Sequence, residues 1–261
     1  MKRLQLLAVL TLLAGCSEAL PPIAGCDSVG AIRPVCGMQA PEDIAALPDG
    51  RHLLLAHFGG MQDGTGSVSV FDTETEEHRQ LFPTDRGSPA GDTALWGDSD
   101  CTVSPGGGFS PHGTHLHQLQ DGRWRYLVVN HGEREAVELF ELRNPGADSA
   151  LVWRGCVRPP VPTFMNDVVG FDNGDIAYTR MFPSLGMWQQ AKSMLGFASG
   201  ELWRWSKQQG ARALPGTEAS QPNGLEISAD NRYLFANMYV EGEVWKVDAR
   251  SGQIVGRAPV A

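Results

Sequence analysis

The sequence predicts an all-β protein, a β-propeller built from four-stranded antiparallel blades. Helical periodicity is nearly absent, and short apolar strands alternate with Gly, Asp and Asn turns. One turn–strand–loop–strand pattern also returns four times along the chain. Recurrence at about 40 to 60 residues is typical of radial repetition. A β-sandwich is the alternative, but it does not predict a repeated unit.

Each copy of the repeat contributes two strands, which we expect to form the middle of a four-stranded sheet. About four blades are therefore represented. The segment 187–200 is expected to hold one short helix, acting as a lid over the channel. The four copies read "LPDGRHLLLAHFG…GSVSVFDTET", "LQDGRWRYLVVNHGEREAVELFEL", "FDNGDIAYTRMF…GELWRWSK" and "SADNRYLFANMYVEGEVWKVDARSG".

The first residues have the features of an export signal. A basic start is followed by an apolar core, Leu4 to Leu13, that is too short to span a bilayer. The run that ends in Cys16 resembles the bacterial lipoprotein processing box, which implies cleavage before Cys16 and lipid attachment to it. Ser17 implies transfer to the outer membrane, facing the periplasm or the cell surface. An ordinary secretory signal with an incidental cysteine is the alternative.

The predicted organisation is a signal peptide at 1–15, a lipidated tether at 16–37 and a propeller at 38–261. Loss of the signal leaves a net charge of about −11, from 19 basic against 30 acidic residues. With no basic stripe, nucleic acid is not an expected partner, and contact with a membrane is expected through the lipid alone. An acidic exported protein is a reasonable host for a hard cation.

Four cysteines remain if Cys16 is lipidated, an even number in an oxidising compartment. We expect two disulfides. Three pairings are possible, of which we favour Cys26 with Cys36, a local staple, and Cys101 with Cys156, which would join two loops. A Cys₄ zinc site is the alternative, but the sequence has no Cys-x₂-Cys pair.

Polar residues begin the first strand of each predicted blade. Because first strands line the channel of a propeller, these residues are expected to converge there. Carboxylate and amide oxygens are the ligands that calcium prefers. Taken singly, each group could be a solvated strand start or a turn. The groups are Glu42-Asp43, His112-Gly113-Thr114, Asn166-Asp167 and Asn223-Gly224.

The chain resembles the paraoxonase branch of the gluconolactonase-like family of six-bladed, calcium-dependent propellers. The resemblance covers nearly all of the predicted mature chain. It depends on four pieces in order: "EDIAALPDG", "PHG" followed by "YLVVNHG" and "AVELFEL", "NDVVGF", and "PNGLEIS".

The resemblance implies two calcium ions, one catalytic and one structural. Adjacent strand residues point to opposite sides, so one pair can serve both ions. The implied ligands of the catalytic ion are Glu42, Asn166 and Asn223. Those of the structural ion are Asp43, Asp167 and the carbonyl of Thr114.

The resemblance also implies an activity, hydrolysis of a lactone or aryl ester. His112 would be the general base that activates water, with His131 behind it as partner. A His-x-His pair, His115 and His117, could hold zinc or copper, but no third ligand is evident in the sequence and we interpret both as channel or surface residues.

Two other interpretations of function remain open. One is a non-catalytic propeller, anchored at the surface, that binds a partner or a sugar. The other is a truncated, inactive relative. The family's further aspartate ligand would follow "SGQIVGRAPVA", the last residues of the sequence, so we expect the propeller to be incomplete.

Overall fold

The computed structural model describes residues 25–28, 30–60, 65–84 and 96–260. The export signal and Cys16 lie outside these residues. The chain divides into two units after Gly37. In the first unit a disulfide joins Cys26 to Cys36, as predicted. Within the described ranges, no helix has the length and apolar character needed to cross a membrane.

The second unit is nearly all β, as predicted, and contains four antiparallel sheets in a propeller arrangement. Each sheet has four strands that follow one another in chain order. Blade 1 contains β1 (Pro41–Ala46), β2 (His52–His57), β3 (Ser67–Asp72) and β4 (His78–Phe82). Blade 2 contains β5 (Pro111–Gln118), β6 (Trp124–Asn130), β7 (Ala136–Arg143) and β8 (Ala150–Val157).

The other two blades repeat this order. Blade 3 contains β9 (Phe164–Gly170), β10 (Ile176–Phe182), β11 (Glu201–Ser206) and β12 (Gly210–Ala213), and blade 4 contains β13 (Pro222–Ile227), β14 (Tyr233–Met238), β15 (Glu243–Asp248) and β16 (Ile254–Pro259). The helix α1 (Met187–Met194) connects β10 to β11, inside the predicted segment.

The cores of the propeller lie between blades. In β6, Tyr126 and Val128 pack toward blade 1, whereas Leu127 and Val129 pack toward blade 3. All four side chains are fully buried, because successive residues of a strand point to opposite faces and both faces of the sheet are covered. This explains why the middle strands are almost continuously apolar.

The first strand of each blade lies beside the first strand of the next, β1 beside β5, β5 beside β9, and β9 beside β13. We call these four the inner strands. A second disulfide, Cys101 to Cys156, joins the segment before β5 to β8, again as predicted. This segment runs along β8, where the amide of Asp98 donates to the carbonyl of Cys156 at 2.8 Å.

Candidate functional site

Each inner strand has a β-bulge at its predicted polar residues. In β1, Pro41 pairs with His57 but Asp43 pairs with Ala56, so Glu42 is an extra residue. Bulges bend a strand and re-aim its side chains, so neighbouring residues need not face opposite sides. The equivalent irregularities lie between Pro111 and Thr114 in β5, between Met165 and Val168 in β9, and between Pro222 and Leu225 in β13.

His112 links three blades at these bulges. Its Nε2 lies 3.2 Å from Oε1 of Glu42 in blade 1. Its Nδ1 lies 2.9 Å from the carbonyl oxygen of Asn166 in blade 3. A carbonyl can only accept, so Nδ1 carries a proton and Nε2 of the neutral ring is an acceptor. Burial lowers the pKa of His112, and the bond to Asn166 opposes this effect.

Asp43 joins blade 1 to blade 2. Its Oδ2 accepts from the amide of Thr114 at 2.6 Å and from the hydroxyl of Thr114 at 2.8 Å. Its Oδ1 accepts from the amide of the next residue, Ile44, at 2.7 Å. Thr114 therefore contacts the Asp43 carboxylate through its amide and its hydroxyl group. The predicted role of its carbonyl as a ligand stays a prediction.

Asp167 joins blade 3 to blade 4 in the same way. Its Oδ2 accepts from the amide of Leu225 at 2.7 Å, and its Oδ1 from the amide of Val168 at 2.8 Å. Burial raises the pKa of Asp167 to about 7, and the two amide donors oppose this shift. The negative charges of Asp43 and Glu226 raise it further, so carboxylates from three blades act on one another here.

Gly113 keeps the space beside Asp167 open, whereas a side chain on Gly224 would make only an ordinary contact there. A Cβ on Gly113 would lie 2.5 Å from Oδ1 of Asp167 and 2.5 Å from the carbonyl oxygen of Asn166. A Cβ on Gly224 would lie 3.9 Å from Oδ2 of Asp167. The side-chain oxygen of Asn223 accepts from the amide of Gly224 at 2.9 Å. The four polar groups predicted at the strand starts thus lie at the bulges of β1, β5, β9 and β13, which are equivalent positions on neighbouring inner strands.

His131 lies directly after β6, and its ring centroid is 5.1 Å from that of His112 in an edge-to-face arrangement. Its Nδ1 is 2.8 Å from Oε2 of Glu135, and its ring stacks on Phe164. The two nitrogens of His112 have other partners. His112 and His131 therefore contact each other through their rings and not through a hydrogen bond.

His115 and His117 form a second cluster further along β5. Their Nδ1 atoms are 3.3 Å apart, and Nε2 of His117 accepts from the guanidinium of Arg125 at 3.1 Å. The amide of Gly170 donates to Nδ1 of His115 at 3.2 Å, so Nε2 of a neutral His115 carries the proton. This nitrogen lies 3.6 Å from a carboxylate oxygen of Glu226. His117 is buried, so it is not a surface residue.

Three features of the site were missed from the sequence: the bulges, Glu135 and Glu226. One signal for the bulges was present. A proline precedes the polar group in three of the four inner strands, at Pro41, Pro111 and Pro222, and proline within sheets is typical of bulges and strand starts. The two glutamates come from a turn and from a strand middle, where the sequence has no local signal for them.

The donor set at the bulges fits a hard cation. It consists of carboxylate and amide oxygens, and the pKa of the half-buried Asp167 is raised by burial and further by the charges of Asp43 and Glu226. Among the residues that the structure describes, no group of three or more His, Cys, Asp or Glu side chains is arranged to hold a metal ion. The predicted sites differ from such a group in that they also use asparagines and a main-chain carbonyl.

No family model matches the chain, and no curated protein does. Solved structures similar to it include hydrazine synthase of Kuenenia stuttgartiensis, with 17% identity, a TM-score of 0.49, and coverage of 84% of this chain and 62% of that one. The periplasmic gluconolactonase PpgL of Pseudomonas aeruginosa has 15% identity, a TM-score of 0.47, and coverage of 85% and 58%. Virginiamycin B lyase of Staphylococcus aureus has 14% identity, a TM-score of 0.45, and coverage of 85% and 56%.

The chain thus spans less than two thirds of the length of these structures. Because the TM-scores are below 0.5, the likenesses carry no activity over to this chain.

Proposed function

We propose that this protein is an exported, calcium-dependent hydrolase of lactones or aryl esters. One observation carries the proposal: polar residues of four blades lie at equivalent bulges on neighbouring inner strands, with His112 between Glu42 and the Asn166 carbonyl. Bulges of this kind occur next to active sites, where they aim side chains. A sheet built only for stability gains nothing from placing carboxylates side by side.

The bulge residues would hold two cations. Glu42, Asn166 and Asn223 would hold the catalytic calcium ion, and Asp43, Asp167 and the Thr114 carbonyl would hold the structural one. A calcium ion held by the first set would supply Lewis-acid chemistry, polarisation of a carbonyl oxygen and stabilisation of negative charge on it. The second set consists of residues that already connect neighbouring blades, so this ion would strengthen contacts within the propeller.

His112 would act as the general base. Its proton is held on Nδ1 by the Asn166 carbonyl, so Nε2, which faces Glu42, is the nitrogen that would take a proton from water. Its lowered pKa keeps the ring neutral, the form in which it can accept. Glu42 lies beside Nε2 and would stabilise the imidazolium that results. The attacking oxygen would add to the carbonyl carbon, the bond from this carbon to the ester oxygen would then break, and the proton on His112 would pass to that oxygen as the alcohol leaves.

The two disulfides favour a compartment outside the reducing cytosol. With the export signal predicted at 1–15, we extend the proposal to a lipid anchor on Cys16. Mass spectrometry of the protein purified from membranes would test it: a diacylated or triacylated N-terminal cysteine is expected, and an unmodified thiol would contradict the anchor.

The hydrolase proposal is tested with a panel of γ- and δ-lactones and phenyl esters, in calcium buffer. We expect Glu42→Gln and Asn166→Ala each to lower kcat/KM by about 100-fold or more. Asn173→Ala, a change in the exposed turn after β9, is the matched control and should leave hydrolysis intact. Hydrolysis that survives both site variants would overturn the mechanism.

A wild-type protein that hydrolyses nothing in the panel would favour a non-catalytic propeller. Elemental analysis after dialysis separates the two parts of the proposal. Two calcium ions per chain are expected, and none would contradict the metal sites regardless of activity.

A further inference from the structure

Two adjoining cavities form a polar groove where blade 3 meets blade 4. The larger has a volume of about 670 Å³ and lies beside the turns that follow β9 and β13. The smaller has a volume of about 550 Å³ and lies beside the turn that follows β11. Both volumes are within the roughly 300–1,000 Å³ that is typical of ligand sites. We call the two cavities together the turn groove, defined by Phe171, Arg204, Arg212, Arg232 and Arg250.

The turn groove concentrates positive charge in an acidic chain, whose formal net charge is −9. Arg204 and Arg250 line both cavities, and Arg212 lines the smaller one. Among the described residues of the smaller cavity, the only carboxylate is that of Asp175, which is 2.7 Å from Nη2 of Arg204. The charges of Arg212 and Arg250, both exposed residues, are therefore not balanced within this cavity. The smaller cavity can accept an anion.

The larger cavity offers hydrogen-bond donors and acceptors together. Its lining includes Arg232, Asn231 and two aspartates, Asp230 and Asp248. Oδ1 of Asp230 accepts from the amide of Arg232 at 3.1 Å. Oδ1 of Asp248 accepts from the amide of Arg250 at 3.2 Å. These carboxylates thus fix the turns that carry two of the arginines, and a lining that both donates and accepts suits hydroxyl groups, which do both.

Arg204 is fixed across the boundary between the two blades. Its Nη1 donates to the carbonyl of Ala249 at 2.9 Å, in the turn after β15 of blade 4. Its Nη2 donates to Oδ2 of Asp175 at 2.7 Å, in the turn after β9 of blade 3. The guanidinium group also lies over the ring of Phe171, 4.5 Å from the ring centroid. Because this side chain is already held in place, a ligand would not need to order it, which lowers the entropic cost of binding.

A buried arginine holds the turn after β9 in place. Arg125, in β6 of blade 2, donates to the carbonyls of Gly174 at 2.7 Å and Asp175 at 2.9 Å. Burial of a guanidinium group costs free energy, and buried charges are commonly paired with an opposite charge. Here these donors go to the main chain of a turn that borders the groove. The side-chain oxygen of Asn231 joins the turns of two blades by accepting from the amide of Asp172 at 2.8 Å, so the walls of the groove are preorganised.

We propose that the turn groove binds an anionic saccharide. The carboxylate or phosphate group of this ligand pairs with Arg212 and Arg250 in the smaller cavity, and its hydroxyl groups face the larger one. Guanidinium groups bind both kinds of anion through paired N–H donors. Phe171 is covered by Arg204, so it offers little surface to an acyl or aryl group. Phe171 follows Asn166 by five residues along β9, roughly 16 Å at the spacing of a strand, so the inference goes beyond the proposed hydrolase function and does not depend on it.

Calorimetric titration of the full chain at low salt tests the class of ligand. The probes are trigalacturonate, glucose 6-phosphate, neutral maltotriose and inorganic phosphate. We expect one of the two anionic sugars to bind about tenfold tighter than maltotriose or more, because a hydrogen bond to a charged group commonly contributes a factor of this size. Binding of trigalacturonate identifies a carboxylate ligand, and binding of glucose 6-phosphate identifies a phosphate ligand. Binding of neither anionic sugar, or equal binding of maltotriose or of inorganic phosphate, would overturn the inference.

Two substitutions test the position of the anion. Arg212→Gln and Arg250→Gln should each weaken binding of the preferred sugar by about tenfold or more. Both residues are exposed, so the urea midpoint should stay that of the wild type, which separates lost binding from lost folding. Arg257→Gln is the matched control, since it removes the same charge from a 52% exposed side chain in blade 4. Unchanged affinity in both groove variants would overturn the inference, whereas Glu42→Gln should lose hydrolysis and keep sugar binding, so that either proposal can fail alone.

Discussion

Asp43 and Asp167 make the same pair of hydrogen bonds two blades apart. Each carboxylate accepts from the amide of the following residue and from an amide of the next inner strand, Thr114 for Asp43 and Leu225 for Asp167. Each residue lies at a bulge of its strand, and its carboxylate reaches the next blade. A repeated sequence has therefore produced a repeated connection between blades, and we propose cation ligands at the same positions.

Asp43 is expected to stabilise the propeller through its bonds to Thr114. Asp43→Ala leaves two donors of Thr114 without their acceptor and should lower the free energy of unfolding by about 2–3 kcal/mol. Urea denaturation with EDTA present, which removes any bound cation, measures this. Glu42→Gln is the control. The side chain of Glu42 is 43% exposed, so its charge should contribute little to the free energy of unfolding. Equal losses in both variants would contradict this role for Asp43.

Gly113 is required by the close approach of β5 to β9. A methyl group in Gly113→Ala would meet the Asn166 carbonyl and the Asp167 carboxylate at 2.5 Å. We expect a loss of about 1–3 kcal/mol in the free energy of unfolding, together with weaker calcium binding. Gly107→Ala is the matched control, because no atom lies within 4 Å of its added methyl group. A Gly113→Ala protein as stable as the wild type would show that the two strands can move apart freely.

The stability of the propeller should fall with acid because of His117. Burial, with help from Arg125 and His115, lowers the pKa of His117 from 6.5 to about 2. Between these values the unfolded chain binds a proton that the folded chain does not. Stability therefore rises with pH across this window, by up to about 1.4 kcal/mol per pH unit.

His117→Gln tests this dependence, because glutamine can still accept from Arg125 but cannot titrate. Urea midpoints measured from pH 7 to pH 4 should fall less steeply in this variant than in the wild type. His78→Gln, a change of an exposed histidine, should keep the wild-type slope. Equal slopes in all three proteins would mean that His117 binds protons equally in the folded and unfolded states and would contradict the prediction.

Calcium is expected to raise the melting temperature. A ligand present at 100 times its Kd stabilises the folded state by about 2.7 kcal/mol, so a shift of several degrees should be visible by calorimetry. Asp167→Asn should lose much of the shift, whereas Asp172→Asn, in the exposed turn after β9, should keep it. A shift of equal size with magnesium, or none with calcium, would contradict the proposed ions.

The predictions made from the sequence succeeded where local pattern suffices. The four strand pairs were recognised from alternating residues and turns, since period-2 alternation is a property of each strand alone. Both disulfides were also paired correctly, Cys26 with Cys36 and Cys101 with Cys156. The polar residues that begin the inner strands were identified because each directly precedes an apolar run, which is also a local pattern.

The contacts of these residues could not be predicted in this way. Glu135 was missed because its partner, the Met165 amide, is 30 residues away and belongs to another blade. Glu226 was missed as a neighbour of His115 for the same reason: the two meet only when four inner strands lie side by side. Ring contact between His112 and His131 likewise depends on Phe58 and Phe164 packing around them.

By itself, the sequence determined the all-β class, the four blades, the even number of cysteines for two disulfides and which polar residues begin the inner strands, because strand pattern, turns and cysteine number are local or countable. Only the tertiary structure decided the four bulges, the tautomer of His112 and the placement of Glu135 against His131. These depend on inter-strand register and on hydrogen bonds between blades, which join residues that are 30 to 71 positions apart.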